Sequence, residues 1–435
     1  MSIKWITRGS AVTIFSMGTT CRLLYAAVPA AVIAVWASVA AAATITLPDA
    51  IDRALRQAPS VDMAAATSDM SRAHVREQRA PLYPTLATGI EYYQGPGYNI
   101  TISNRGISAA LVTLDYTVWD WGRRQARLRA AEYVLEASRL GISAARAQTV
   151  FDTTVAYFDL LRAREAQTDL QASLQRLNRY VVTIESLKNS GRMIASDVLK
   201  VRTMRNNAEL ALEMARGNSE RASATLGALI GEPNQAELNI APIVGVMPKP
   251  SGDIAQSAVI QAAQRAISSA TSQIKVAKAE RLPTFQIALT TGFLGIDPRK
   301  TVERSGGGSY DGVVSMPIFD GGLIASHIDQ AKAKEHSAIA QARQAEYLIK
   351  RRIADASLRY DQAVRQLDIL SRAQPIADDA FALTWTRFLG GGTATMLEVL
   401  DSYQTAEQLR LQRPDQEFAA REAVAETNLL YGHIQ

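Results

Sequence analysis

The sequence predicts a mainly α protein with a small membrane β part: long α-helical hairpins plus four β-strands per chain. Three observations predict it. Apolar residues recur with heptad spacing over tens of residues, as in helices that supercoil on neighbours. Four stretches of about ten residues alternate with period two instead. The whole pattern is written twice, about 200 residues apart.

The first 43 residues read as a secretory leader. Lys4, Arg8 and Arg22 form a basic start with no acid, and an Ala-rich apolar run with Pro29 ends in small residues. A retained membrane anchor is the other reading, because the run is nearly long enough to span a bilayer. The leader holds the sole cysteine, Cys21, so a processed chain can form no disulfide. It also holds three basic residues, so the formal charge of +5 falls to about +2 without it. No basic patch for nucleic acid is left.

Four blocks match between the copies: "RAPLYPTLATGIEY" with "ERLPTFQIALTTG", "VWDWGRRQAR" with "IFDGGLIASH", "GRMIASDVL" with "GTATMLEVL", and "LGALIGEP" with "NLLYGHIQ". The expected organisation is a leader over 1–43, a first repeat over 44–231, a Pro- and Gly-bearing linker over 232–252, and a second repeat over 253–435, the repeats forming one intertwined unit. Each repeat runs helix, two strands, long helix, turn, helix.

In the first copy, Thr46 and Asp49 have capping-box spacing around Pro48, and Pro59 is expected to break the helix they start. The second copy has no matching proline, so its first helix is expected to run unbroken. The strand "TLATGIEYY" groups Leu86, Ile90 and Tyr92; "SAALVTLDYTV" groups Ala110, Val112, Leu114, Tyr116 and Val118; "TFQIALTTGFL" groups Phe285, Ile287, Leu289 and Phe293; "YDGVVSMPIF" groups Tyr310, Val314, Met316 and Ile318. Such strands suit a membrane β-barrel, and a half-buried soluble sheet would alternate in the same way. Tyr92, Tyr93, Tyr98, Tyr116, Trp119, Trp121 and Tyr310 gather near strand ends, as an interfacial belt requires. Four strands cannot close a barrel, so several copies must combine. The loops "QGPGYNITISNR" and "DPRKTVERSGGGS" are polar, and Gly306, Gly307 and Gly308 read as loop.

A helix from about Gly122 to Leu187 carries Leu170, Leu174, Leu177, Val181 and Ile184 in steps of four and three. At ~1.5 Å per residue it is about 100 Å long. Ile349, Ile353, Ala356, Tyr360, Ala363, Leu367 and Leu370 repeat the pattern in the second copy, and Pro414 is expected to kink the last helix. No enzyme constellation appears. His74, His327, His336 and His433 are scattered, and no HExxH, GxSxG or phosphate-loop spacing occurs. No cofactor or metal is expected.

These blocks, in this order and duplicated, resemble the TolC family of outer-membrane factors (outer membrane efflux proteins). The carriers are Leu282-Pro283 and Tyr83-Pro84 before strands, the block Phe319 to Gly322, and both glycine turns. The resemblance spans Thr46 to Gln435. It implies a homotrimer in the Gram-negative outer membrane, with a twelve-stranded β-barrel continued by a periplasmic α-barrel. It implies the exit duct of a tripartite efflux pump or type I secretion system, a periplasmic adaptor (membrane fusion) protein, and an inner-membrane transporter of RND or ABC type. A periplasmic coiled-coil scaffold without a pore is the competing reading.

The resemblance also places the two glycine turns, at Gly191 and Gly392, at the periplasmic tips of the helical hairpins. Acids matching Glu398 and Asp401 would line the aperture there, with Asp197 as a further candidate. Helix-start acids favoured by the macrodipole are the alternative for all three. Gly191, Arg192, Met193, Ile194, Gly392, Thr393, Thr395 and Met396 are where an adaptor would dock, although packing between tips would use the same residues. The family's basic residue two positions past the second-tip glycine is Ala394 here, and Arg192 is the candidate substitute.

Overall fold

The computed structural model describes residues 44–93, 107–233, 237–243, 245, 248–296, 305–390 and 393–432. The leader with Cys21, the first strand loop with Tyr98, residues 297–304 of the second, Gly392 and His433 lie outside the described residues.

The first repeat begins with α1 (Leu47–Gln57) and α2 (Pro59–Arg79). Thr46 and Asp49 close the expected capping box, and Ala58, in extended conformation, separates the two helices before Pro59. Strands β1 (Thr85–Tyr93) and β2 (Ile107–Trp119) follow, then the 67-residue α3 (Arg123–Asn189) and the 36-residue α4 (Ala195–Ile230). The second repeat has α5 (Ala258–Ala279), β3 (Thr284–Ile296), β4 (Ser305–Ser315), α6 (Leu323–Leu389, 67 residues) and α7 (Met396–Tyr431, 36 residues). No helix among the described residues is long and apolar enough to cross a membrane.

Three expectations need correction here. The second copy does break before its first helix, without a proline: Ser257 takes φ −58° and ψ 124°, and only a three-residue 3₁₀ turn precedes it. Strand β4 ends at Ser315, which leaves Met316 and Ile318 outside it, and Pro317 has no N–H to continue the ladder. Gly306, Gly307 and Gly308 are strand, not loop. Gly306 pairs with Phe293, whose ring would stand 3.3 Å from a Cβ there, so glycine leaves room for the ring. The last helix continues through Pro414, and α6 likewise contains Pro375, which periodicity alone did not single out.

The strands form one antiparallel sheet in the order β1-β2-β3-β4. Directly paired residues share a face, so the register assigns faces across the whole sheet. Leu86 pairs with Leu114, Leu114 with Leu289, and Leu289 with Tyr310. The same face carries Ile90, Ala110, Val112, Tyr116, Phe285, Ile287, Phe293 and Val314. The opposite face carries Thr85, Ala87, Glu91, Thr113, Asp115, Gln286, Thr290, Ser309 and Asp311, and with them Leu111 and Val313. A bulge between Thr117 and Trp119 puts Trp119, rather than Val118, opposite Phe285. Apolar side chains on this sheet are open to the surroundings: Ile90 is 86% exposed and Tyr310 84%. β1 and β4 are its two edges.

The same device starts both long helices. Asp120 is buried and accepts the Arg124 N–H at 3.0 Å, while Asp320 accepts those of Gly322 and Ile324 at 2.9 and 2.7 Å. Backbone donation from Ile324 and Gly322 holds the Asp320 carboxyl below its usual range. Glycine is needed at Gly122 and Gly322, whose φ values are 79° and 93°. Arg124 is buried too, pairs with Asp120 at 2.9 Å, donates to the Pro81 carbonyl and lies over the Tyr116 ring.

Further from the sheet, α3 packs along α4 and against α7, and α7 packs along α6, which gives the lateral order α4-α3-α7-α6. The main core lies where the helices meet the connection between repeats. It joins Ile45 and Ala50, Tyr157 and Phe158 of α3, Leu226 and Ile230 of α4, Leu238 and Ile240 of the connection, and Phe418 of α7. The connection is therefore packed in, not a free linker. Tyr157 donates to the carbonyls of Ile45 and Ala241, and buried Arg421 donates to those of Ile243 and Gly245. Ile45 and Ile240 form a parallel bridge.

Asp120→Ala strands the Arg124 guanidinium and is expected to cost about 3 kcal/mol of stability in urea unfolding. The double change with Arg124→Leu should recover most of that loss, since an apolar pair of similar volume replaces a buried ion pair at little cost.

Candidate functional site

The far ends of the two hairpins hold most of the predicted site residues. At the first, α3 ends in a left-handed turn at Gly191, φ 75°, with Gly191 N–H bonded to Lys188 O and Arg192 N–H to Leu187 O. A Cβ at Gly191 would meet nothing within 4 Å, so glycine is required by its φ and not by space. α4 then starts after Ile194 without a side-chain cap. The second turn is built differently. α6 ends at Gly390, which is not left-handed (φ −81°), and α7 begins with a capping box. The Thr395 hydroxyl accepts the Glu398 N–H at 3.3 Å, and the Glu398 carboxylate accepts the Thr395 N–H at 3.0 Å.

The three predicted acids sit in three different environments. Glu398 is committed with one oxygen to the helix start. Asp197 is paired with Lys200 at 3.2 Å, and its side chain is only 16% exposed. Asp401 is exposed and enters none of the ion pairs among the described residues. It lies on a groove of about 770 Å³ between α4 and α7, floored by α3 and lined by Leu177, Leu199, Lys200, Leu397 and Gln404 among others. The docking candidates also divide. Arg192, Ile194, Thr393 and Thr395 are exposed, whereas Met396 is buried and Met193 half-buried. Leu199 and Leu397, 61% and 68% exposed, are apolar neighbours that the turn motif did not single out. Their helical positions fall opposite the buried stripe, and only the packed structure shows that face to be uncovered.

Behind the tips the two hairpins are bound together. Ile184, Val198 and Val201 of the first pack with Met396 and Val399 of the second. Tyr180 meets Phe381, Trp385 and Tyr403 at ring separations of 5.6, 4.6 and 5.9 Å. The Ser173 and Tyr403 hydroxyls lie 2.7 Å apart, and burial pushes the Tyr403 phenol up. A ladder of ions crosses three helices: Arg176 to Glu407 at 2.7 Å, Glu407 to Arg410, and Arg410 to Asp378 at 2.8 Å. Ala394 is buried, and the Arg192 guanidinium of the first tip reaches the Leu389 carbonyl at the end of α6, 3.5 Å away. A guanidinium there faces the negative end of the α6 dipole. No group of three or more potential metal ligands exists among the described residues.

The family model described as "Outer membrane efflux protein" matches residues 50–232 and 252–433. The chain belongs to the outer membrane efflux protein family. Outer membrane protein TolC of Escherichia coli is 23% identical over 371 residues, which cover 80% of this chain and 74% of that one. Pyoverdine export outer membrane protein OpmQ of Pseudomonas aeruginosa is 25% identical over 396 residues, 84% of this chain and 82% of that one. Among solved structures, the open state of the Neisseria gonorrhoeae MtrE outer membrane channel superposes with a TM-score of 0.78 at 21% identity, covering 89% of this chain and 88% of that one. An outer membrane efflux protein acts as an exit duct in the Gram-negative outer membrane, and the mainly α fold with one four-stranded antiparallel sheet is that of such channels.

Asp169 stands on α3 beside the ion ladder. Burial raises its pKa, Arg410 pulls it back, and Glu407 adds to the rise. A raised carboxyl pKa favours the fold while the group is protonated, and that contribution is lost as pH rises through the folded value. Asp169→Asn is therefore expected to raise the thermal unfolding midpoint at pH 8. The gain should vanish below the ordinary aspartate value of 3.8.

Proposed function

We propose that three copies of this chain close a twelve-stranded barrel in the outer membrane and a helical tunnel below it, as the exit duct of a tripartite efflux pump or type I secretion system. The observation that carries the reading is the sheet register. One face is predominantly apolar and the other mostly small or polar, as lipid and lumen would require, and both edges are open. Edges left unpaired in hydrocarbon are prohibitively costly, and pairing β4 of one copy with β1 of the next removes them. The exposed face at Ile194, Leu199 and Leu397 suits a periplasmic adaptor, which would couple the duct to an inner-membrane transporter of RND or ABC type. Removal of residues 1–43 fits a compact unit that starts at Thr44.

Within this reading Asp401 is the principal aperture acid, with Glu398 shared between the aperture and its helix cap, and Asp197 balanced by Lys200. Arg192 holds the two tips of a chain together in the closed state. Drug, metal, polysaccharide and protein cargo are all compatible with such a duct.

Reconstitution in planar bilayers tests the proposal. Wild-type channels should be blocked by millimolar divalent or trivalent cation, and Asp401→Ala should abolish most of the block. Thr395→Ala, which removes the cap and leaves both carboxylates, should retain it. Arg192→Ala should raise conductance in the absence of cation. A protein that salt washes off membranes and that never conducts would instead be a periplasmic scaffold.

A further inference from the structure

The two helices of the second hairpin each contain a proline, and the two helices of the first contain none. The placement is specific. Asp378 and Arg410 are ion-paired at 2.8 Å across α6 and α7. Pro375 lies one turn from Asp378 and Pro414 one turn from Arg410, both on the side away from the tip. The two prolines thus stand at one level of the hairpin. Proline has no N–H, so the carbonyls of Ser371 and Arg410 lose their intrahelical donors, and each ring crowds the carbonyl four residues back. Two helices packed side by side are weakened at the same height, which is what bending of the pair as a unit requires.

The surroundings fit a hinge. One turn above Pro414, Phe418 packs on Phe158 in the apolar core, with ring centroids 6.3 Å apart. Below the proline level the hairpin meets α3 and α4 through the Arg176–Glu407–Arg410–Asp378 ladder, the Ser173–Tyr403 hydroxyl pair, the aromatic group around Tyr180 and the small apolar cluster of Ile184, Val198, Val201, Met396 and Val399, over which the swing must slide. Ion pairs and hydroxyls can exchange partners as helices shift. The Phe158–Phe418 contact cannot move without opening the core.

We infer that Pro375 and Pro414 form a paired hinge, about which the terminal part of the second hairpin swings against the proline-free first hairpin. The moving part comprises residues 376–389 and 396–413, about 20–27 Å of helix at ~1.5 Å per residue. It carries Glu398 and Asp401 away from Arg192 and α3. This inference rests on the reading of the chain as a gated duct, and it names where the gate bends.

The test uses the full-length protein with Cys21 absent after processing. Spin labels go at Lys188→Cys and Arg387→Cys for the tip pair, and at Arg146→Cys and Arg351→Cys for a pair above the prolines. Labelled chains are diluted with unlabelled ones, so that distances are read within a single chain. The tip pair is expected to give a broader distance distribution than the upper pair. Pro375→Ala/Pro414→Ala should narrow it to the width of the upper pair, and channel openings should become about tenfold rarer. Pro375→Ala alone changes an exposed site and should give an intermediate width, which guards against a packing defect at buried Pro414. A tip distribution no broader than the upper one, or one unchanged by the alanine pair, overturns the hinge. A broad, proline-dependent tip in a protein that never conducts fails the duct reading and leaves the hinge in place.

Discussion

A strand edge in hydrocarbon has nothing to bond with except another strand. β1 and β4 are the edges of a sheet whose apolar face is open to its surroundings, and in the proposed assembly further copies of the chain cover both edges. Such an assembly repeats the chain around an axis and places like elements at like heights. The helices that leave the sheet must therefore all leave at one level, in one direction and with one geometry. Asp120 and Asp320 supply that common exit, each accepting N–H groups at the start of a 67-residue helix.

The duplication solves the same problem within the chain. Two helices of 67 residues and two of 36 make hairpins of equal reach, so both tips arrive together. The halves have nevertheless diverged where they differ in duty. The first carries Arg124 over the Tyr116 ring at its strand–helix junction, and the second has Ile324 at the matching place. The first tip is closed by a left-handed glycine with no side-chain cap, the second by a capping box. The second hairpin alone contains helix prolines. The duplicated frame supplies symmetry, and the differences concentrate what moves in one half.

Much of this was legible in the sequence because it rests on periodicity. Heptads gave the existence of both long helices and the bounds of the first to within two residues, and alternation gave β1 to the residue. Local chemistry gave the Thr46 capping box and the turn at Gly191. Most of what escaped depended on partners distant in sequence, although Glu398 and Asp197 have theirs only three residues away, in Thr395 and Lys200. Gly306 to Gly308 looked like a loop because glycine is permissive, and only the Phe293 ring across the ladder explains their place in a strand. The connection between repeats looked like a linker because Pro and Gly dominate its composition, whereas Leu238 and Ile240 are core. At the tips, residue type alone could not separate a carboxylate tied to a helix start (Glu398) or paired with Lys200 (Asp197) from one facing a groove (Asp401).

The clasp between Ile45 and Ile240 bears on the order in which the protein is made. Ile45 pairs with Ile240, and the Tyr157 hydroxyl bonds the carbonyls of Ile45 and Ala241. Ile45 has no seat until nearly two hundred later residues have been delivered. During export from the amino end, the segment at Thr44 must wait, unsatisfied, while α1 to α4 cross behind it. Closing that long loop carries an entropic cost that grows only slowly with its length, so the wait is thermodynamically mild and kinetically long. The clasp can therefore shut only after the two strands and two long helices between its ends have all been delivered.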